Sequence, residues 1–156
     1  MDLQPRRILW PTDFSETSLH AARYARALCA RFQAVLHVLH VVPPPINPDV
    51  NIMFAGEVPL VVSEADLSDA SRRGLQRLVE KHLDNDPKIV CDVAAGNPWV
   101  AICEYAKKHE IDMIVITTHG RTGITHAIIG STAERVVQHA PCPVLTVKQK
   151  CRDCLT

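Results

Sequence analysis

The stretch Met113-Ile114-Val115-Ile116-Thr117-Thr118-His119-Gly120 decides the fold of this 156-residue chain. Its aliphatic run is typical of a strand covered on both faces, as in a parallel sheet. A polar segment with glycine follows at once, and nine residues separate Gly120 from Gly130-Ser131. Residues 131–134 match a capping box at the start of a helix. The segment therefore predicts a strand, a glycine-containing loop and a helix in succession.

Strand and helix signals alternate over the rest of the chain in the same way. We predict strands at residues 6–11, 34–42, 88–94, 111–117 and 143–147. Helices are predicted from the Asp13–Ser15 caps to about Phe32, and over residues 64–83, 97–110 and 131–139, with a long irregular stretch ending near residue 63. Pro11 is expected to close the first strand. The inward stripe of the second helix is predicted as Leu67, Ser71, Leu75, Leu78 and His82. This alternation predicts a parallel sheet with right-handed crossovers and helices on both faces.

The bulk composition fits one globular domain and disfavours several classes of function. Seventeen basic residues balance 17 acidic ones, whereas a nucleic-acid-binding domain is expected to carry a basic stripe. The apolar runs are too short to span a membrane. The N-terminal residues lack the apolar core of a signal peptide, so we expect a cytoplasmic protein whose six cysteines are mostly reduced.

Two loops have the features of a ligand site. One carries Pro11-Thr12-Asp13 after the first strand, and the other follows the fourth strand. If these strands are neighbours, the loops face each other across the crevice where open α/β sheets bind ligands. Gly120 and Gly123 would let backbone N–H groups approach a phosphate, and the helix after Gly130 would add further donors. Alternatively, the glycines only turn the chain and Ser131 only caps the helix.

The spacing of the second loop resembles the ATP-binding motif of the universal stress protein family. In that motif, glycine, two residues, glycine, nine residues and glycine precede serine or threonine. The resemblance extends over nearly the whole chain in the same order, through residues 8–15, 39–42, 118–123, 130–136 and 142–147. This chain has Thr117 where the motif begins with glycine. A β-branched residue there either restricts the approach of ribose or phosphate or supplies a hydroxyl donor.

The resemblance implies a fold and an assembly. The fold is a single-domain, Rossmann-like three-layer sandwich over residues 1–148, with a five-stranded parallel sheet of order 3-2-1-4-5 and a C-terminal tail at 149–156. The expected partner is a second copy of the chain, paired through the last strand at Val144, Leu145, Thr146 and Val147. Neither nucleic acid nor membrane is expected as a partner.

The resemblance also implies a ligand and the residues that hold it. The ligand is ATP. Separately from the resemblance, Asp13 is the one acidic residue expected in the crevice, where it would contact water or an Mg²⁺ or Mn²⁺ ion bound to the nucleotide. Asp13 and Val41 are expected around the adenosine, and Gly120, Gly130, Ser131 and Thr132 at the ribose and phosphates. The full predicted site comprises Pro11, Thr12, Asp13, Val41, Ile116, Thr117, His119, Gly120, Arg121, Gly123, Gly130, Ser131 and Thr132.

Three functions fit these features: a regulatory protein that binds ATP in a stress response, a slow ATPase, or a structural, chaperone-like dimer without nucleotide. The chain has no G-x-x-x-x-G-K-[ST] loop, and no pair of carboxylates near the crevice, so binding is favoured over hydrolysis.

Other motifs in the sequence have simpler interpretations than a functional site. The pair Cys151 and Cys154 has the C-x-x-C spacing of redox and zinc sites, but a frayed tail is the favoured interpretation. His37 and His40 are expected to be core or edge residues of a strand rather than ligands, whereas His119 is placed to touch phosphate.

Overall fold

The fold was obtained as a computed structural model, and it is described for residues 4–44, 64–84, 86, 88–118 and 130–148. Strands and helices alternate along this part of the chain, as the sequence predicts. Their order is β1 (Arg7–Thr12), α1 (Glu16–Phe32), β2 (Val35–Val42), α2 (Glu64–His82), β3 (Ile89–Ala95), α3 (Pro98–Lys108), β4 (Met113–Thr117), α4 (Ser131–His139) and β5 (Val144–Val147). The predicted C-terminal tail lies outside the described residues.

The strands form one parallel sheet of order β3-β2-β1-β4-β5, which confirms the predicted topology. The central strand β1 pairs with β2 along its whole length, from Arg7 to Thr12. Its pairing with β4 covers Ile8 and Leu9. Beyond Leu9 the two strands separate, which opens a crevice at their carboxyl ends where the strand order reverses.

Pro11 lies inside β1, opposite Leu39 of β2, so the prediction that it ends the strand is wrong. Proline disrupts a sheet because it has no N–H to donate to a neighbouring strand. Here the pairing with β4 ends before Pro11, so on that side the proline interrupts no ladder.

Two apolar cores cover the two faces of the sheet. On one face, α1 and α2 pack against Ile8, Trp10 and Val38. On the other face, α3 and α4 pack against Leu9, Leu39 and Ile116. Successive residues of β1 thus alternate between the two cores, which confirms the prediction of helices on both faces.

The inward stripe of α2 differs from the prediction. Leu75, Leu78, Val79 and Leu83 are buried, whereas Leu67 and His82 are exposed. Leu83 directly follows the end of α2, where its N–H donates to the carbonyl of Val79 at 2.9 Å, and it takes the inward place assigned to His82. None of the helices in the described ranges is both long enough and apolar enough to cross a bilayer.

Candidate functional site

A cavity of about 250 Å³ lies in the crevice at the carboxyl ends of β1 and β4. Nine residues of the predicted site line it, contributed by both strands, β2 and the start of α4: Pro11, Thr12, Asp13, Val41, Ile116, Thr117, Gly130, Ser131 and Thr132. His119, Gly120, Arg121 and Gly123 of the prediction lie outside the described residues. The structure therefore brings the two predicted loops together, at least as far as their described ends.

The turn between β1 and α1 is held by short-range hydrogen bonds. The buried Thr12 accepts, at Oγ1, from the Ser18 hydroxyl at 2.9 Å and from the Phe14 backbone N–H at 3.1 Å. Asp13 accepts from the backbone N–H of Ser15 at 3.0 Å. Ser15 is the N-cap of α1 and accepts from the N–H of Ser18. Ser15 thus caps the helix, while Asp13 orders the turn and lines the cavity.

The first turn of α4 faces the same cavity. Gly130 is the N-cap, and it has no side chain that could cap the helix. Ser131 is the first helical residue, so the predicted capping box starting at Ser131 is wrong: the N-cap lies one residue earlier and has no side chain that could accept a hydrogen bond. The carbonyl of Gly130 accepts from Glu134 N at 2.9 Å. The early N–H groups of α4 are donors of the kind that bind anions at helix N-termini.

Thr118 links the end of β4 to β5 and to the start of α4. Its backbone N–H donates to the carbonyl of Val147 at 3.2 Å, and its own carbonyl accepts from the N–H of Gly130. The side chain of Thr118 is only 1% exposed. The described chain on either side of residues 119–129 therefore meets at one point beside the cavity.

Part of the cavity lining is apolar. Leu39 and Val41 contribute from β2, Pro98 and Ile102 from α3, and Ile116 from β4. Four of them, Leu39, Val41, Ile102 and Ile116, belong to the core beneath α3 and α4, so the lining combines apolar side chains with hydrogen-bond donors. Such a combination suits a ligand that has a flat apolar part and an anionic part.

Ionisable groups are sparse around the cavity. Asp13 is the sole carboxylate among its described lining residues. In the described ranges, no three His, Cys, Asp or Glu side chains group together as a metal site. The four cysteines in these ranges are free thiols away from the cavity, and burial raises the pKa of Cys29 and Cys142 to about 11. They are therefore poor nucleophiles at neutral pH.

Two predicted strand histidines have structural partners. His37 is buried, and its Nδ1 lies 3.1 Å from the hydroxyl of Tyr105. His40 is partly buried, and its Nδ1 lies 2.8 Å from the carbonyl oxygen of Thr12. Their interpretation as core or edge residues is confirmed.

Comparison with known proteins identifies the family. The model of the universal stress protein family matches residues 5–148. The chain belongs to the universal stress protein family. It is 35% identical to universal stress protein MJ0531 of Methanocaldococcus jannaschii over 144 residues, which cover 92% of this chain and 82% of that protein.

Solved structures show the same fold. The structure of MJ0577 from the same organism has a TM-score of 0.77 at 25% identity, and the match covers 95% of this chain and 99% of that one. A universal stress protein solved in complex with cAMP has a TM-score of 0.66 at 20% identity, with 92% and 97% of the two chains covered. At that identity the second likeness concerns the fold alone.

Six lining residues of this universal stress protein were missed by sequence reasoning: Ser18, Leu39, Pro98, Ile102, Thr118 and Ala133. Leu39 could have been predicted from the sequence, because it lies two residues from Val41 and therefore on the same face of β2. Ser18 could also have been predicted, since it lies in the first turn of α1, three residues after the N-cap Ser15. The contribution of α3 depends on how that helix packs over the sheet, which no local pattern encodes.

Proposed function

We propose that this protein binds an adenine nucleotide, ATP, in the crevice between β1 and β4, and that it binds the nucleotide rather than turning it over rapidly. The observation that carries the proposal is that one cavity joins apolar lining residues to the N-terminus of α4, whose N-cap Gly130 has no capping side chain. Membership of the universal stress protein family supports a regulatory role in a stress response.

The proposed pose follows from the two sides of the cavity. The adenine base lies against the apolar wall formed by Leu39, Val41 and Ile102, where burial of its faces is favourable. The phosphates lie at the N-terminus of α4, where N–H groups and the helix dipole favour negative charge. Ser131 and Thr132 add hydroxyl donors there. The ribose then lies between them, beside Asp13 and Thr117.

Divalent metal enters this proposal only with the nucleotide. Mg²⁺ is commonly held in proteins by one or two carboxylates together with substrate phosphates. Asp13 supplies one carboxylate at the edge of the cavity, so it is the proposed contact for a nucleotide-bound Mg²⁺ or Mn²⁺. The described lining residues fit a metal delivered by the phosphates better than a resident ion.

Slow hydrolysis is the second candidate function, and the lining of the cavity disfavours it. A hydrolase needs a group to orient or deprotonate the attacking water. Among the described lining residues that role falls to Asp13 alone, and its carboxylate already accepts from the backbone N–H of Ser15. A nucleotide-free, chaperone-like dimer is the third candidate.

The experiment is direct. The purified protein is denatured and the supernatant is examined by chromatography for adenine nucleotide; the protein without nucleotide is then titrated calorimetrically with MgATP, MgADP, AMP and cAMP. We expect saturable binding of ATP that weakens in Asp13→Ala, and phosphate release close to background. Absence of both co-purified nucleotide and binding heat would favour the nucleotide-free dimer. Steady phosphate release abolished by Gly120→Val would establish the ATPase.

The proposal includes the assembly and location of the protein. We place residues 1–148 in one nucleotide-binding domain that forms a homodimer through β5, an edge strand whose outer N–H and C=O groups suit pairing with a second copy. We place the protein in the cytoplasm, where the free thiols of its described cysteines are stable. Neither nucleic acid nor membrane is part of the proposal.

A further inference from the structure

Phe14, which follows Asp13, has an unfavourable backbone conformation. Its φ angle is 64°, in the left-handed region that bulky side chains rarely adopt. Such a conformation persists only where the surrounding contacts hold it, and residues of this kind cluster at binding sites. Because Asp13 lines the cavity, whatever holds Phe14 also sets the direction in which the chain presents Asp13.

Two contacts from the sheet hold this residue. The backbone N–H of Phe14 donates to Thr12 Oγ1 at 3.1 Å. Its ring lies against the imidazole of His40, with 4.3 Å between the ring centroids and 36° between the planes. The His40 Nδ1 lies 2.8 Å from the carbonyl oxygen of Thr12, which can only accept, so Nδ1 carries the proton and donates. The ring, the imidazole and the turn therefore form one packed unit.

The third contact comes from α2. Gly74 lies in the middle of this helix, where glycine is unfavourable because of its backbone entropy. A Cβ built at Gly74 would lie 3.2 Å from Cζ of Phe14 and 3.5 Å from Cε1. The first distance is shorter than ordinary van der Waals contact, so any other residue at position 74 would push the ring. The helix thus carries glycine at the position where the Phe14 ring needs the space.

We propose that Gly74 is a positioning residue for the nucleotide site: by admitting the Phe14 ring between α2 and His40, it holds the strained turn that presents Asp13. This inference rests on the proposed function for its ligand, although the packing itself does not. Gly74 is absent from the cavity lining and acts only through Phe14.

The packing is tested first by NMR, without nucleotide. Ring current from Phe14 displaces the imidazole proton resonances of His40, which are assigned with His40→Gln. We expect Gly74→Val to move these resonances toward those of an unstacked histidine, and Gly74→Ala to move them by a smaller amount in the same direction. Gln76→Ala, at an exposed position of the same helix, is the matched control and should leave them in place. If Gly74→Val does not fold, Gly74→Ala supplies both readouts.

Affinity for MgATP is the second readout, measured by calorimetry on the same proteins. We expect Gly74→Val to weaken binding about tenfold, the effect of misplacing one hydrogen bond to a charged group. Gln76→Ala should bind as the wild type does. In a Phe14→Ala background the clash is absent, so adding Gly74→Val should cost no further affinity; this result distinguishes positioning through the ring from general damage to α2.

Each outcome decides the inference. Unchanged His40 resonances in folded Gly74→Val and Gly74→Ala would overturn it whatever the protein binds. The coupling to the site would be overturned if the His40 resonances shifted while affinity stayed unchanged. It would also be overturned if Gly74→Val lost equal affinity in the presence and absence of the Phe14 ring. If the wild type binds no nucleotide, the proposed function fails, and the NMR comparison still decides whether Gly74 holds the turn.

Discussion

The backbone N–H of Gly130 donates to the carbonyl of Thr118, so the chain after β4 and the start of α4 meet at the cavity. Gly130 has φ of −69° and ψ of 149°, which any residue can adopt, and it serves as an N-cap without a capping side chain. The glycine is therefore not required by its backbone angles. Because it lacks a side chain, residue 130 itself does not compete for the N–H groups of the first turn of α4.

We expect Gly130→Asp to keep the fold and lose the ligand. Aspartate is a better N-cap than glycine, by a few tenths of a kcal/mol, so the free energy of unfolding should stay level or rise slightly. The aspartate carboxylate would accept from the same N–H groups as the phosphates, and its charge would repel the phosphates. Affinity for MgATP should therefore fall by more than about tenfold. Urea unfolding and calorimetric titration measure the two effects.

Gly130→Asn is the matched control for this change. Asparagine caps the helix without adding charge, so its loss of affinity should be smaller than that of Gly130→Asp. Equal affinities for the wild type and Gly130→Asp would show that the phosphates do not lie at α4.

Substitutions of Thr117 test whether its hydroxyl contributes to ligand binding in the crevice. The residue ends β4 and lines the cavity, where its hydroxyl can bond to a ribose or phosphate oxygen. Thr117→Val has nearly the same shape without the hydroxyl, and we expect affinity for MgATP to fall about fivefold, as for one lost neutral hydrogen bond. Thr117→Ser keeps the hydroxyl and should bind as the wild type does. Tighter binding by Thr117→Ser, without tighter binding by Thr117→Val, would instead mean that the β-branched side chain obstructs the ligand.

Sequence reasoning reached the features that depend on local patterns. Apolar runs separated by helix signals were enough to predict a parallel sheet with helices on both faces, whereas its strand order was implied by the family resemblance. Turn residues after β1 and β4 indicated the two loops. The prediction of a capping box at Ser131 was wrong because the local sequence pattern is the same whether Ser131 is the N-cap or the first helical residue. The prediction that Pro11 ends β1 was wrong because a strand tolerates proline where no neighbour needs its N–H, and that depends on where β1 stops pairing with β4. Ile102 was missed because its place in the cavity is decided by the packing of α3 on the sheet.

The proposed dimer gives a prediction for the sheet edges. Leu145 of β5 is 38% exposed, and Val90 of the opposite edge strand β3 is 42% exposed. Leu145→Lys puts a charge on the strand that is proposed to pair with a second copy. Burying that charge in the interface without an opposite charge is costly. We expect this variant to sediment as a monomer under conditions in which the wild type is a dimer, whereas Val90→Lys should remain dimeric. The reverse result would move the interface to β3.

His37 makes the stability of the protein depend on pH. Burial holds the pKa of His37 below its ordinary value of 6.5, and His109 and Arg7 lower it further, while Asp92 acts in the opposite direction. Burial also raises the pKa of Tyr105 to about 12, so its hydroxyl stays protonated and can donate to Nδ1 of the neutral imidazole. Protonation of His37 would remove that acceptor inside the core.

The unfolded chain takes up this proton more readily than the folded one, because the pKa of His37 is lower in the folded state. The contribution of neutral His37 to the free energy of unfolding is therefore complete above the ordinary pKa of 6.5 and falls as the pH drops below it. Urea unfolding of the wild type and His37→Gln between about pH 5 and about pH 8 measures this contribution. We expect the wild type to lose stability relative to His37→Gln as the medium is acidified. Two curves that stay parallel across this range would mean that His37 does not titrate differently in the folded and unfolded states.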